Sequence, residues 1–187
     1  AGRERKTELR LFDAVVASKV AIANEKLYVN RAEGFVGIGL KKDEYVCDCS
    51  DLDDVVVIRQ DGTLLVTKVD QKTYVGNDIL YVNVFKKGDQ RTVYNAMYRD
   101  GTKGASFVKR FNVTGITRDR EYPVTQGTKG SELLYLSANP NGEAEVVTVH
   151  LKPLAALKKL RFDLDFASLA VRGRSSRGNT VTKYQIK

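Results

Sequence analysis

Apolar and polar positions alternate along this chain in short runs, and glycine turns punctuate the runs. Four strand–turn–strand units can be read, at Asn30-Arg31-Ala32-Glu33-Gly34, Arg59-Gln60-Asp61-Gly62, Arg99-Asp100-Gly101 and Asn139-Pro140-Asn141-Gly142. A short polar or acidic residue before glycine marks a tight turn, because such turns need positive φ, which Gly adopts freely and Asn tolerates. The four glycines are 28, 39 and 41 residues apart. A period near 40 with strands on both sides of each turn predicts an all-β, propeller-like array of about four blades.

Runs rich in β-branched and aromatic residues predict strands at 27–29, 55–58, 64–69, 79–85, 92–94, 106–108, 133–136, 146–149 and, last, 180–186. Proline occurs only at 123, 140 and 153, at turns or strand ends. Residues 1–12, charged and then apolar, read as a linker or an entering strand, and 13–187 as one β domain. Residues 13–25 fit either a short helix or a strand–loop, since periodicity does not separate the two. The segment 153–160 is the other helix candidate. Loops carrying glycine fall at 74–78, 125–130 and 172–178. The first residue is Ala1 and not Met, so the chain reads as a domain cut from a longer protein.

A hydrophobic share of 42% over 187 residues predicts a soluble chain with a folded core. No apolar run approaches the roughly 18 residues of a membrane-spanning helix, and no signal peptide is legible. The only cysteines, Cys47 and Cys49, are spaced too closely in one segment for a good disulfide. Free thiols fit a reducing cytosol. With a single histidine, His150, no zinc site can be assembled, and that residue reads as an ordinary strand position. No nucleophile elbow, phosphate-binding Walker loop or His-Glu-x-x-His motif is present, and no cofactor is expected.

Charge changes the picture more. Residues 1–90 hold 14 Lys/Arg and 15 Asp/Glu, whereas 91–187 hold 17 and 8. The net +8 is therefore carried by the second half, the footprint expected for a polyanion partner. Arg172-Gly173-Arg174-Ser175-Ser176-Arg177-Gly178 combines three guanidinium groups with glycines that let backbone amides approach a phosphate. A second cluster comprises Lys103, Lys109, Arg110, Arg118, Arg120 and Lys129, and a third basic turn carries Lys86, Lys87 and Arg91. Phe107 and Phe111, beside Lys109-Arg110, read as core and not as stacking platforms for bases. Opposed to these stands an acidic loop at 43–54, with Asp43, Glu44, Asp48, Asp51, Asp53 and Asp54 and no cation. It lacks the spacing of a calcium loop and reads as a solvated or autoinhibitory segment.

Together these motifs resemble the C-terminal domain of the type IIA topoisomerase A subunit. The likeness rests on the unit Asp54-Val55-Val56-Val57-Ile58-Arg59-Gln60-Asp61-Gly62-Thr63-Leu64-Leu65-Val66-Thr67-Lys68, and on the 172–178 loop, close to the family pattern Gly-Arg-x-(Ser/Thr)-x-Gly. The stretch 99–122 also looks like such a domain from Bacteroidetes-type enzymes, and the resemblance runs from about residue 7 to the end. It implies a β-pinwheel, a strand-exchanged relative of the propeller. It also implies duplex DNA, bent around a basic perimeter without base readout and presented for strand passage. The catalytic tyrosine belongs to the breakage–reunion domain and ATP hydrolysis to the B subunit, so none of the nine tyrosines here inherits the catalytic role. Those two parts are the implied protein partners, with no membrane partner, and the implied location is the cytoplasm at the nucleoid. Gyrase carries a Gln-Arg-Arg-Gly-Gly-Lys-Gly box in its first blade, where this chain has the acidic 43–54. Gln126-Gly127-Thr128-Lys129-Gly130 only echoes that box. The resemblance is thus nearer to the topoisomerase IV type of A subunit than to the DNA gyrase type. The alternatives are a gyrase-type wrapping domain and a propeller that binds proteins, which would leave the basic half unexplained.

Overall fold

Three tight turns and one long loop organise the chain into four sheets built on one plan. The computed structural model describes residues 23–155 and 157–187. β1 (Glu25–Asn30) and β2 (Phe35–Gly37) form a hairpin, and β3 (Glu44–Cys49) pairs with the free side of β1. β4 (Asp54–Arg59) and β5 (Thr63–Lys68) form the next hairpin. The chain then reaches back, so that β6 (Thr73–Tyr74) pairs with β2 of the first sheet before β7 (Ile79–Phe85) completes the second on β4. The third sheet repeats this order with the hairpin β8 (Val93–Arg99) and β9 (Ser106–Asn112). β10 (Glu121–Pro123) returns to β5, and β11 (Glu132–Asn139) completes the sheet on β8. In the fourth, β12 (Val146–His150) pairs with β13 (Arg161–Asp165). After a 3-10 turn at Phe166–Ser168, β14 (Val171–Gly173) and β15 (Asn179–Thr182) both return to β9, parallel and antiparallel respectively. A bridge between Leu151 and Ile186 then extends the fourth sheet at β12.

At two of the turns, strand exchange brings the returning chain against the glycine. Gly34 sits at φ 76°, and the returning chain passes so close that a Cβ there would lie 2.6 Å from the Gly76 carbonyl oxygen. The Gly34 carbonyl accepts a 2.8 Å hydrogen bond from Val75 N. At Gly62 the same construction recurs one sheet later, with Val124 N donating at 2.7 Å to its carbonyl.

Each sheet packs face to face on the next. The run Val55-Val56-Val57-Ile58 is wholly buried because both faces of β4 are covered. Val55 and Val57 pack with Leu27, Val29 and Val36 of the first sheet. Val56 and Ile58 pack with Tyr94, Tyr98, Phe107 and Phe111 of the third. Met97, on the opposite face of β8, meets Val149 and Leu151 of the fourth. Full burial of each such side chain contributes roughly 1.5–3 kcal/mol.

The all-β array of four blades agrees with the sequence reading, and several details differ from it. The Asn139–Gly142 turn is tight, with Gly142 N bonded to Asn139 O at 3.1 Å, but it joins two sheets and is not a hairpin. The hairpin of the fourth blade instead spans 151–160. No helix forms among the described residues of 153–160, which close the β12–β13 hairpin as a loop, with Leu151 N bonded to Leu160 O at 2.8 Å and Leu157 N turned back to Leu154 O at 2.9 Å. Half of the acidic 43–54 is strand β3 and not loop. Residues 1–12, and 13–25 up to residue 22, lie outside the described residues; Glu25 opens β1.

Candidate nucleic-acid interface

β9 decides where two of the twelve expected cations go. Side chains alternate along a strand, so Lys109 shares a face with Phe107 and Phe111, while Arg110 faces the other way. Both faces are covered, and Lys109 and Arg110 are only 3% and 9% exposed. Neither can meet a phosphate directly. Lys109 Nζ donates to the carbonyls of Arg174 (2.7 Å), Ser176 (3.0 Å) and Val124, and lies 4.9 Å from the Phe111 ring centroid. Burial, with the nearby Arg174 charge, pushes its pKa down to about 8. Arg110 donates to Asn95 Oδ1 (3.0 Å) and to the carbonyl of Gly142 (2.7 Å). These two side chains thus fix the 174–176 loop on one face of the third sheet and the 142–143 turn on the other.

Several of the remaining expected cations gather along β10, the edge strand of the second sheet. The chain from 118 to 123 runs antiparallel to β5. Asp119 N donates to Val66 O at 2.8 Å, and Tyr122 lies opposite Leu64. Arg118 lies 2.7 Å from Asp54 Oδ1, an ion contact without the alignment of a hydrogen bond, and its side chain stays 55% exposed. Arg120 and Arg174 both lie over the Tyr122 ring, at 5.4 and 4.5 Å, and Arg174 also donates to Pro123 O at 2.9 Å. Partial burial lowers the Arg174 pKa. The Tyr122 hydroxyl, which accepts from Thr117 N, is held below its usual value by that bond and by the two arginines. Arg177 lies 4.3 Å from the Phe107 ring, and its carbonyl accepts from the Tyr98 hydroxyl at 2.7 Å. Arg172 is exposed on β14.

Beyond Tyr122 a groove continues past Thr125, Gly127 and Gly130 to Lys129. The turn carrying Lys103 adjoins it, since a Cβ on Gly130 would lie 2.6 Å from Thr102 Cγ2. Arg118, Arg120, Arg174, Lys129 and Lys103 therefore follow one track along the seam of the second and third sheets. Lys86, Lys87 and Arg91 are exposed at the opposite end of the third sheet from Lys103, where Gly88 N donates to Thr114 O at 3.3 Å.

On the acidic side, Glu44 bonds Arg31 (2.8 Å) and Asp48 bonds Lys26 (3.0 Å), and each carboxyl is lowered by that partner. Asp53 accepts from Ser50 N at 2.9 Å. Among the described residues no group of three His, Cys, Asp or Glu side chains is placed to hold a metal ion. Cys47 and Cys49 are free thiols, and burial pushes Cys49 up to about 11. No helix among the described residues is long and apolar enough to cross a membrane.

Sequence reasoning missed the cations of the fourth blade. Lys158, Lys159 and Arg161 are exposed beside Thr148, Phe162 and Asp163 in a broad groove. Reading 153–160 as a helix hid them, although Lys158-Lys159 before a strand was a visible signal. Arg59, outside the expected set, is bound to Glu121 at 2.8 Å and does not join the track.

The sequence profile of the family described as Topoisomerase C-terminal domain, Bacteroidota, matches residues 26–187. The chain is also similar to the A subunit of DNA topoisomerase 4 from Borreliella burgdorferi, 23% identical over 185 residues. That alignment covers 98% of this chain and 28% of the relative, so the chain spans just over a quarter of that protein's length. No solved structure matches it.

Proposed function

Because the chain belongs to the Bacteroidota topoisomerase C-terminal domain family, we propose that it is the duplex-DNA-binding module of a topoisomerase IV-type A subunit. The observation that carries this reading is the track along β10, where Arg118, Arg120, Arg174, Lys129 and Lys103 converge from separate parts of the basic half. Arginine forks and lysine charges on a sheet edge suit phosphate oxygens, which carry no sequence information.

The module's part is to hold and bend DNA and to present a segment for strand passage. Breakage and religation fall to the breakage–reunion domain, and ATP hydrolysis falls to the B subunit; these two are its partners. Tyr94 and Tyr98 are buried in the inter-sheet core, and burial raises both, Tyr98 to about 12, which suits packing and not nucleophilic attack. The place of work is the cytoplasm, at the nucleoid. Without a basic glycine box in the first blade, the module bends DNA but does not impose the full chiral wrap of gyrase.

Fluorescence anisotropy with two duplexes of unrelated sequence, across a salt series, tests this. Four to five neutralised phosphates give a slope of about −4 in log K against log salt, the same for both duplexes. A flat salt response, or a strong preference for one duplex, contradicts the reading.

A further inference from the structure

The loop that carries Arg174 and Arg177 has little to hold it. Its one internal turn bond runs from Ser176 N to Gly173 O at 3.0 Å, and it is flanked by the short strands β14 and β15. Besides the Tyr98 hydroxyl on the Arg177 carbonyl and Arg174 on the Pro123 carbonyl, its anchor is Lys109. Two of the carbonyls that receive its protons, those of Arg174 and Ser176, belong to the loop, and the third, that of Val124, follows β10. The ammonium therefore ties together the two segments that carry the track. No carboxylate balances it within the described contacts; it is surrounded by carbonyl dipoles and by the faces of Phe111 on β9 and Tyr98 on β8. The charged and titratable groups around it are Arg174 and Arg177 on the loop, Tyr98 on β8, and Tyr122 on β10 between Arg174 and Arg120.

We propose that Lys109 is a positioning residue for duplex binding. Its ammonium pins the arginine loop to the second sheet, and phosphate binding at Arg174 is coupled to retention of the Lys109 proton. This rests on the DNA reading above. The coupling follows from charge: the Arg174 guanidinium repels the Lys109 ammonium, and a phosphate on Arg174 offsets that repulsion. The complex then holds the proton more tightly than the free protein does. By reciprocity, affinity falls as pH rises through the Lys109 pKa of about 8. Stability moves the other way. The folded pKa lies below the ordinary 10.5, so the unfolded chain binds more protons between about 8 and 10.5, and folding is favoured as pH rises through that window. Loss of affinity by alkaline unfolding would need the opposite sign.

The test is duplex affinity at constant ionic strength from about pH 7 to about pH 9.5, for the wild type, Lys109→Met and Tyr122→Phe, with thermal melts in parallel. The wild type and Tyr122→Phe should both lose about three- to tenfold in affinity across the range. Lys109→Met should bind several-fold more weakly at the low end and show no pH dependence. A lysine Cε NMR titration of the wild type, with and without duplex, stands in if Lys109→Met does not fold, and should show the Lys109 midpoint rising with DNA. A flat wild-type profile, a slope retained in Lys109→Met, a slope lost in Tyr122→Phe, or a midpoint unmoved by DNA overturns the proposal. No binding by the wild type at any pH overturns the DNA reading itself.

Discussion

At the residue scale, β9 shows how strand parity overrides residue type. A lysine two positions from each of two core aromatics points where they point, and the interior then has to supply polar partners. Lys109 finds three carbonyls, and Arg110, on the other face, finds Asn95 and Gly142. Arg110→Met keeps bulk but leaves the fully buried Asn95 and the Gly142 carbonyl each short of a donor. Urea denaturation should show a loss of about 2–4 kcal/mol. A loss below half a kcal/mol would mean that water takes over those acceptors. The Cys49 thiol, 1% exposed and raised to about 11, should react with a disulfide reagent far more slowly in the folded protein than in urea. Equal rates in both would contradict that burial.

At the element scale, the decisive pieces are the shortest. β6 and β10 have two and three residues, yet each stitches one sheet to the one before it. They share a construction in which the returning chain crosses a hairpin glycine and bonds its carbonyl. Gly34→Val adds a β-branched side chain at φ 76° and drives its Cβ into the Gly76 carbonyl. The expected cost is at least about 2 kcal/mol, read as a lowered melting temperature. Gly88 has positive φ but open space around it, so Gly88→Ala should cost only about 1 kcal/mol, the backbone share of that penalty. Equal costs at the two positions would show that the returning chain does not constrain its glycine.

At the scale of the whole molecule, the charge split along the sequence is partly mixed in space, since Asp54 of the acidic stretch meets Arg118 of the basic half. In the first blade two carboxylates are paired with that blade's own cations, Glu44 with Arg31 and Asp48 with Lys26. The basic half places Arg118, Arg120 and Arg174 at the seam of the second and third sheets. Reversing Arg172, Arg174 and Arg177 together to Glu should weaken duplex binding at least about a hundredfold, by removing three cations and adding three repulsions. Neutralising Asp48, Asp51, Asp53 and Asp54 should leave binding within about threefold, tilted towards tighter, since Asp54→Asn releases Arg118 to a phosphate. Competition gel shifts with both variants compare them directly, and similar effects from the two sets would place DNA on another face.

The sequence by itself determined that this protein is an all-β repeat array, because glycine turns and alternating apolar runs are local features that a strand reads one residue at a time. It also located most of the strands and the basic half. The family resemblance implied strand exchange, but the residues did not reveal that β6, β10 and β15 are the exchanged strands, since so short a strand carries no periodicity of its own and takes its pairing from a neighbouring edge. Nor did it separate Gly142, a turn between sheets, from the hairpin glycines, because both need the same φ. For the candidate site, composition supplied the cations, but tertiary structure alone decided which of them face solvent. Lys109 and Arg110 went inside because β9 is covered on both faces, and Arg118 reached Asp54 across sixty-four positions of sequence. Burial and long-range pairing depend on what the rest of the chain brings alongside, and no window of sequence contains that.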